Sequence, residues 1–134
     1  MARRILLVDD EAPLLHLVEN FLTRNGYEVE AFEDPSEALA RFASDVHRYQ
    51  LVIADLTMPE LSGDELVTKL GELSSTVHML LLSGALFSTE RFPEQLRTRV
   101  AFLQKPFLPR MLLESVSQLE ARIPPDQAVS DSTC

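Results

Sequence analysis

Apolar runs and amphipathic stretches alternate about five times along this chain. That alternation predicts an α/β fold built on a parallel sheet. Ile5-Leu6-Leu7-Val8, Leu51-Val52-Ile53-Ala54 and Met79-Leu80-Leu81-Leu82 are continuous apolar runs, as expected of strands covered on both faces. Val100-Ala101-Phe102-Leu103-Gln104 is a further strand candidate. Tyr27, Val29 and Ala31 alternate with Glu28 and Glu30, so 27–32 reads as a half-exposed edge strand. Right-handed crossovers between parallel strands then put helices on both sides of the sheet.

The amphipathic stretches carry their own punctuation. Leu14, Leu17, Val18, Phe21 and Leu22 fall on one helical face, and Asn25-Gly26 ends that helix because glycine tolerates the left-handed conformation needed there. Asp34-Pro35-Ser36-Glu37 is a helix start, with Asp34 as cap, Pro35 in the first turn and Glu37 in capping-box position. Ala38, Leu39, Phe42, Ala43 and Val46 supply its apolar face. Ser62-Gly63-Asp64-Glu65 repeats the device, with Leu61 placed to pack on Leu66. Leu66, Val67, Leu70 and Leu73 continue inward, and Met111, Leu112, Val116 and Leu119 serve the last helix. The stretch 86–99, with Phe92-Pro93, is weakly patterned and predicts a brief or irregular element. One domain over 1–121 and a polar, proline-bearing tail over 122–134 are expected.

Composition narrows the function. A chain of 134 residues can bury a core without staples, and its lone cysteine, Cys134, excludes an internal disulfide framework or a cysteine metal site. A reducing, cytoplasmic setting fits. No apolar run reaches membrane-spanning length, and Met-Ala-Arg-Arg with four apolar residues is too short for a signal peptide. The net charge is −9, and the strongest basic groupings are Arg3-Arg4 and Arg97 with Arg99. Direct nucleic-acid binding, which needs a basic face, is not expected.

The chemistry gathers where apolar runs end. Asp9-Asp10, Asp55, Ser83 and Lys105 each follow one of the predicted strands. In an open parallel sheet, ligands bind beyond the carboxyl ends of the strands. Each position has an ordinary reading by itself: acids before a helix, a loop acid, a turn hydroxyl, a surface lysine. Together they make an acidic pocket with one hydroxyl and one ammonium, suited to a divalent cation and a phosphoryl group. Clustered carboxylates repel unless a cation neutralises them, and oxygen ligands favour Mg²⁺, with Mn²⁺ as a substitute. Asp10 and Asp55 are the expected direct ligands, Asp9 acts through water, and the Thr57 carbonyl supplies another oxygen. A carboxylate can also attack phosphorus to give an aspartyl phosphate. Lys105, the cation and the Ser83 hydroxyl would then hold one phosphoryl oxygen each. His16, His47 and His78 show no partner pattern and read as structural or surface residues.

Ile5-Leu-Leu-Val-Asp-Asp-Glu11, Asp55-Leu-Thr-Met-Pro-Glu-Leu-Ser-Gly63, Ser83-Gly-Ala85 and Lys105-Pro-Phe107 together resemble the receiver domain of two-component response regulators. The resemblance spans roughly 3–121, and the four motifs in order are highly specific. It implies a doubly wound, flavodoxin-like, five-stranded sheet of order 2-1-3-4-5. It implies that Asp55 accepts a phosphoryl group from a phosphohistidine on a sensor histidine kinase or a histidine phosphotransfer protein. Asp9 and Asp10 match the acidic pair that holds Mg²⁺, and Ser83 and Lys105 match the residues that bind the phosphoryl oxygens. Lys105-Pro106 matches the family's cis peptide, and Phe102 matches the aromatic that turns inward when Ser83 shifts. Thr57 and Ala85 sit where the family tunes acyl-phosphate lifetime, and neither very fast hydrolysis nor inertness is expected. The short 86–99 stretch looks more like receivers fused to hybrid sensor kinases, so the chain reads as an excised domain or a single-domain regulator. With no output domain after 121, direct DNA binding is not expected; the downstream partner is an unspecified protein.

Two other functions share parts of this pattern. A haloacid dehalogenase-type phosphatase also uses Asp, Ser or Thr, Lys and Mg²⁺, but places its nucleophile after the first strand with another Asp two residues on. A non-phosphorylated interaction module of the same fold would have no need of the Asp55–Lys105 pair.

Overall fold

A computed structural model describes residues 4–56, 63–84 and 92–123. Among the described residues five strands and five helices alternate: β1 (Arg4–Val8), α1 (Ala12–Arg24), β2 (Glu28–Phe32), α2 (Pro35–Ser44), β3 (Leu51–Asp55), α3 (Gly63–Leu73), β4 (His78–Ser83), α4 (Glu94–Arg97), β5 (Val100–Gln104) and α5 (Pro109–Arg122). The strands are all parallel, in the order β2-β1-β3-β4-β5. Both the sheet order and the edge position of β2 agree with expectation.

Strand alternation divides the core into two layers. Ile5, Leu7, Leu51, Ile53, Leu80 and Leu82 meet α1 and α5 on one face. Leu6, Val8, Val52, Ala54, Met79 and Leu81 meet α2, α3 and α4 on the other. Every residue of β3 and β4 is buried, which is why these runs carry no polar alternation. Burial of each large aliphatic side chain is worth about 1.5–3 kcal/mol before the entropy of ordering it.

The helix starts and stops follow local chemistry. The Asp34 side chain accepts the Ser36 N–H at 2.9 Å, and Pro35 opens α2. Gly26 ends α1 at φ 93°, where a side chain would be strained. The device at Ser62 and the Leu61–Leu66 contact lie outside the described residues. The element within 86–99 is as brief as its pattern suggests: α4 has four residues, held by a close approach of Leu96 to Gly71 of α3. Helix α5 runs through Arg122 and Ile123 is buried, two residues past the composition-based boundary.

Three large apolar positions assigned to core faces are exposed, as is the small Ala43 of α2. Leu17 is 65% exposed, and Leu73 and Met111 are each 41% exposed. In α1 the buried residues are Leu15, Val18 and Leu22. At about 100° per residue, Leu17 lies at the far margin of a wide apolar arc, beyond what the sheet can cover. Leu73 and Met111 sit likewise at the margins of the Leu66–Val67–Leu70 and Leu112–Val116–Leu119 faces.

Glu30, expected to be solvated, is instead drawn into a network on the α2 side. It accepts hydrogen bonds from the buried Tyr49 hydroxyl and from Arg48 Nε, both at 2.7 Å, and pairs with Arg41 at 3.3 Å. Burial would raise its carboxyl, but the Tyr49 and Arg48 hydrogen bonds and the two guanidinium charges outweigh it, leaving the pKa below the ordinary 4.5. Burial and the bond to Glu30 push the Tyr49 phenol up to about 12. A depressed carboxylate stabilises the fold above its unfolded pKa, and that contribution is lost as pH falls through the folded value. Glu30→Gln is therefore expected to unfold more easily than wild type at neutral pH, with the gap closing below about pH 4 in denaturant titrations. A gap that stays constant across that range would show that the carboxylate charge contributes nothing. Among the described residues, no helix is long and apolar enough to cross a membrane.

Candidate functional site

The ladder register brings the strand ends together. Val8 pairs with Ala54, so Asp9 and Asp55 leave the sheet side by side. Asp55 pairs with Leu82 and Ser83 with Gln104, which puts Ser83 and Lys105 at the same edge. The Lys105 N–H donates to the Ser83 carbonyl at 2.6 Å, and the Lys105–Pro106 peptide is cis. The site lies where strand order reverses between β1 and β3, the crevice that open α/β sheets use for ligands.

Lys105 is the centre of charge. Its Nζ lies 3.3 Å from Asp55 Oδ2, 3.6 Å from Asp9 Oδ2 and 3.9 Å from Glu11 Oε1. Carboxylate oxygens of Asp9, Glu11 and Asp55 all fall within 4.8 Å of one another. Asp9, Asp55 and Ser83 are buried, whereas Asp10 is exposed and stands outside this cluster. Sequence reasoning passed over Glu11, although it is the third acid of the Asp-Asp-Glu run. A bond from the Glu11 N–H to Asp9 Oδ1 at 2.9 Å folds the chain so that Glu11 returns over the pocket. Thr57 and Ala85 lie outside the described residues.

Burial pushes the Asp9 carboxyl up from its ordinary 3.8, and the Asp55 and Glu11 charges add to this. The Glu11 N–H and Lys105 pull the other way without overcoming it. A carboxyl with a raised folded pKa stabilises the fold only at low pH, and this is lost as pH rises through the folded value. The charged form at neutral pH thus carries a cost that a bound cation would offset. Three oxygen donors with one ammonium among them fit Mg²⁺ or Mn²⁺, which need few carboxylates and leave room for other oxygens. Lys105 and a divalent cation compete for the same charge. Lys105→Met is expected to tighten Mg²⁺ binding roughly tenfold by calorimetry, since a unit charge this close is worth on the order of 1–4 kcal/mol. Unchanged or weaker binding would mean that the ammonium does not oppose the cation.

Phe102 is half-buried on the α2–α4 side of β5 and stacks on Phe92, with ring centroids 6.1 Å apart and planes at 16°. The other feature that patterning did not disclose is an apolar groove of about 460 Å³ beside Lys105, lined by Leu14, Leu17, Phe21, Pro106, Phe107 and Leu112. The exposed Leu17 belongs to it, which gives that residue a place that core packing does not.

Comparison with known proteins agrees with this geometry. The sequence profile of the response regulator receiver domain matches residues 5–117. Regulatory protein VanRB of Enterococcus faecalis is 36% identical over 126 residues, covering 91% of this chain and 54% of that protein. The chain spans about half the length of the curated relatives it matches. Among solved structures, chemotaxis protein CheY4 of Vibrio cholerae superposes with a TM-score of 0.77 at 27% identity, covering 89% of this chain and 99% of that one. The receiver domain of the hybrid histidine kinase CckA gives 0.73 at 31% identity, covering 87% and 97%. By the match over residues 5–117 and by its fold, this chain belongs to the response regulator receiver domain family.

Proposed function

We propose that this chain is a phospho-accepting switch in which Asp55 takes a phosphoryl group from a phosphohistidine donor. The observation that carries this reading is the buried Asp55 carboxylate, 3.3 Å from Lys105 Nζ, within an acidic cluster at the carboxyl edge of the sheet. A carboxylate oxygen of Asp55 attacks phosphorus, the phosphorus–nitrogen bond breaks, and its electron pair stays on the imidazole, which takes a proton. Phosphoryl transfer asks mainly for in-line positioning and charge neutralisation. Lys105 pairs with one phosphoryl oxygen and the Ser83 hydroxyl donates to another. Asp9 and Asp55 would hold Mg²⁺ with Glu11 closing the acidic cluster, while the exposed Asp10 would reach the ion from outside that cluster and the Thr57 carbonyl would be a further oxygen. When bound, Mg²⁺ would supply positive charge to offset that of the phosphoryl oxygens and carboxylates.

The switch is local. New charge on Asp55 draws Ser83 toward it, and Phe102 follows by packing, since it has no hydroxyl with which to signal. The Phe92 stack makes α4 the element that feels this movement. The protein turns over no substrate in this reading; it promotes its own phosphorylation and a slow loss of the phosphate. The donor is a sensor histidine kinase or a phosphotransfer protein in the cytoplasm, and the apolar groove beside Lys105 is where its helices dock.

The test is uptake of a phosphoryl group from a small phosphodonor and from a phosphorylated histidine protein, each with Mg²⁺ and with chelator. Uptake is expected only with Mg²⁺. Leu17→Asp is expected to slow transfer from the protein donor at least tenfold, while uptake from the small donor stays within about twofold, because a central apolar contact is worth about 1–2 kcal/mol or more. Equal slowing with both donors would place the defect in the chemistry and remove the groove from the docking surface.

A further inference from the structure

Exposure rises from the floor of the acidic pocket to its opening. The side chains of Asp9 and Asp55 are 2% and 5% exposed, that of Lys105 is 20% exposed, and that of Glu11 is 67% exposed. Glu11 nevertheless belongs to the pocket. Its Oε1 lies 3.9 Å from Lys105 Nζ, and one of its carboxylate oxygens falls within 4.8 Å of oxygens of Asp9 and Asp55. The 2.9 Å bond from its own N–H to Asp9 Oδ1 fixes the turn that brings it there. Asp10, its neighbour in sequence, is also exposed but stands outside the cluster. Glu11 thus sets a carboxylate at the solvent-facing end of the pocket, above the buried Asp55.

In-line displacement decides which part of a donor meets that carboxylate. The attacking oxygen, phosphorus and the departing atom lie roughly on one line. With Asp55 at the floor, the leaving group points outward, to the end of the pocket where Glu11 sits. Oxygen-linked and nitrogen-linked donors present different charge there. In acetyl phosphate the phosphorus–oxygen bond breaks, the electron pair stays on oxygen, and negative charge grows as acetate departs. In phosphoramidate the nitrogen is already protonated. Its phosphorus–nitrogen bond breaks with the pair staying on nitrogen, and neutral ammonia departs. The first donor therefore comes to the transition state with one more negative charge than the second. Lys105 attracts the phosphoryl oxygens of both alike and does not tell them apart. Glu11 does, because it faces the part that differs.

Given Asp55 as the phosphoryl acceptor, on which this rests, we propose that Glu11 is a specificity-determining residue that selects phosphodonors by charge. It disfavours donors whose leaving group gains negative charge, relative to nitrogen-linked donors whose leaving group carries a proton. Phosphohistidine is of the second kind, and acyl phosphates are of the first. The size of the effect follows from Coulomb's law. One unit charge about 5–7 Å away, at an effective dielectric close to that of water, changes a rate roughly fivefold. The group is exposed, so salt screens it, and the preference weakens as the Debye length falls to about 3–4 Å.

Acetyl phosphate and phosphoramidate test this on the whole chain, with Mg²⁺ saturating for each variant and the pH slightly above neutral, where both phosphoryl groups are ionised. The quantity read is the ratio of their second-order rate constants for phosphorylating Asp55, followed by mass spectrometry. Glu11→Gln is expected to shift that ratio roughly fivefold toward acetyl phosphate, and Glu11→Lys further in the same direction. Glu11→Asp, which keeps the charge, should stay within about twofold of wild type. Glu72→Gln removes an equal charge at the last turn of α3, at the opposite end of the sheet, and should leave the ratio as it is. The shift in Glu11→Gln should shrink as salt is raised. If Glu11 only steadies Lys105 or the cation, Glu11→Gln changes both rate constants by the same factor, and the proposal fails. It fails equally if Glu72→Gln moves the ratio as far, since net charge rather than position would then be responsible. Wild type that takes no phosphate at Asp55 from either donor would remove the acceptor reading and this one with it. Uptake from both donors with an unmoved ratio in Glu11→Gln overturns the role of Glu11 alone.

Discussion

Asp55→Asn is expected to take up no phosphoryl group from a small phosphodonor and Mg²⁺, where wild type gains one phosphate by mass spectrometry. The effect is expected to be total because the amide has no carboxylate oxygen to act as nucleophile. Positioning by Lys105 and Ser83 cannot replace a missing nucleophile, unlike the loss of one stabilising contact, which leaves a slowed reaction. The variant should still fold, since Asn has the shape of Asp and can keep a hydrogen bond to Lys105. Replacing one of three clustered carboxylates should also weaken Mg²⁺ binding. A phosphate retained in the variant would place the acceptor elsewhere, with Asp9 and Asp10 the first positions to examine. Steady release of phosphate from simple esters by wild type would instead indicate a phosphatase.

Phe42→Ala is expected to remove about 3–5 kcal/mol of stability, the usual cost of truncating a fully buried aromatic. Phe42 is fully buried in α2 and stacks on Tyr49, with centroids 6.0 Å apart. Its loss would leave a cavity and withdraw support from the Tyr49 hydroxyl that holds Glu30. A domain of this size has roughly 5–15 kcal/mol in total, so the melting temperature should fall by about 12–20 °C. Denaturant and thermal melts would measure this directly. A loss below about 1 kcal/mol would mean that α2 repacks to fill the space.

Much of the fold was legible because burial leaves a periodic trace. The runs at 5–8, 51–54 and 79–82 carry no polar residue since helices cover both faces of those strands, and each became a buried strand. Asp34-Pro35 marked a helix start because a cap and a fixed φ act locally, and the bond to Ser36 is present. Helix faces were less legible. Leu15 was passed over and Leu17 included, because periodicity gives the width of an apolar arc but not which part of it the sheet covers.

The acidic site divides in the same way. Asp9, Asp55, Ser83 and Lys105 could be named from strand ends alone, since parallel strands deliver their carboxyl ends to one edge. Sequence by itself determined the α/β class, the strand positions and the residue types available to a cation and a phosphoryl group, because these follow from composition and short-range periodicity. Only the tertiary structure decided that Glu11 rather than Asp10 joins Asp9 and Asp55 in the carboxylate cluster, which depends on how the turn after β1 folds back. It also decided that Leu17 opens onto a groove and that Glu30 is held by Tyr49 and Arg48. These are contacts between residues far apart in the chain, set by register and by the packing of one helix beside another, and no local pattern encodes them.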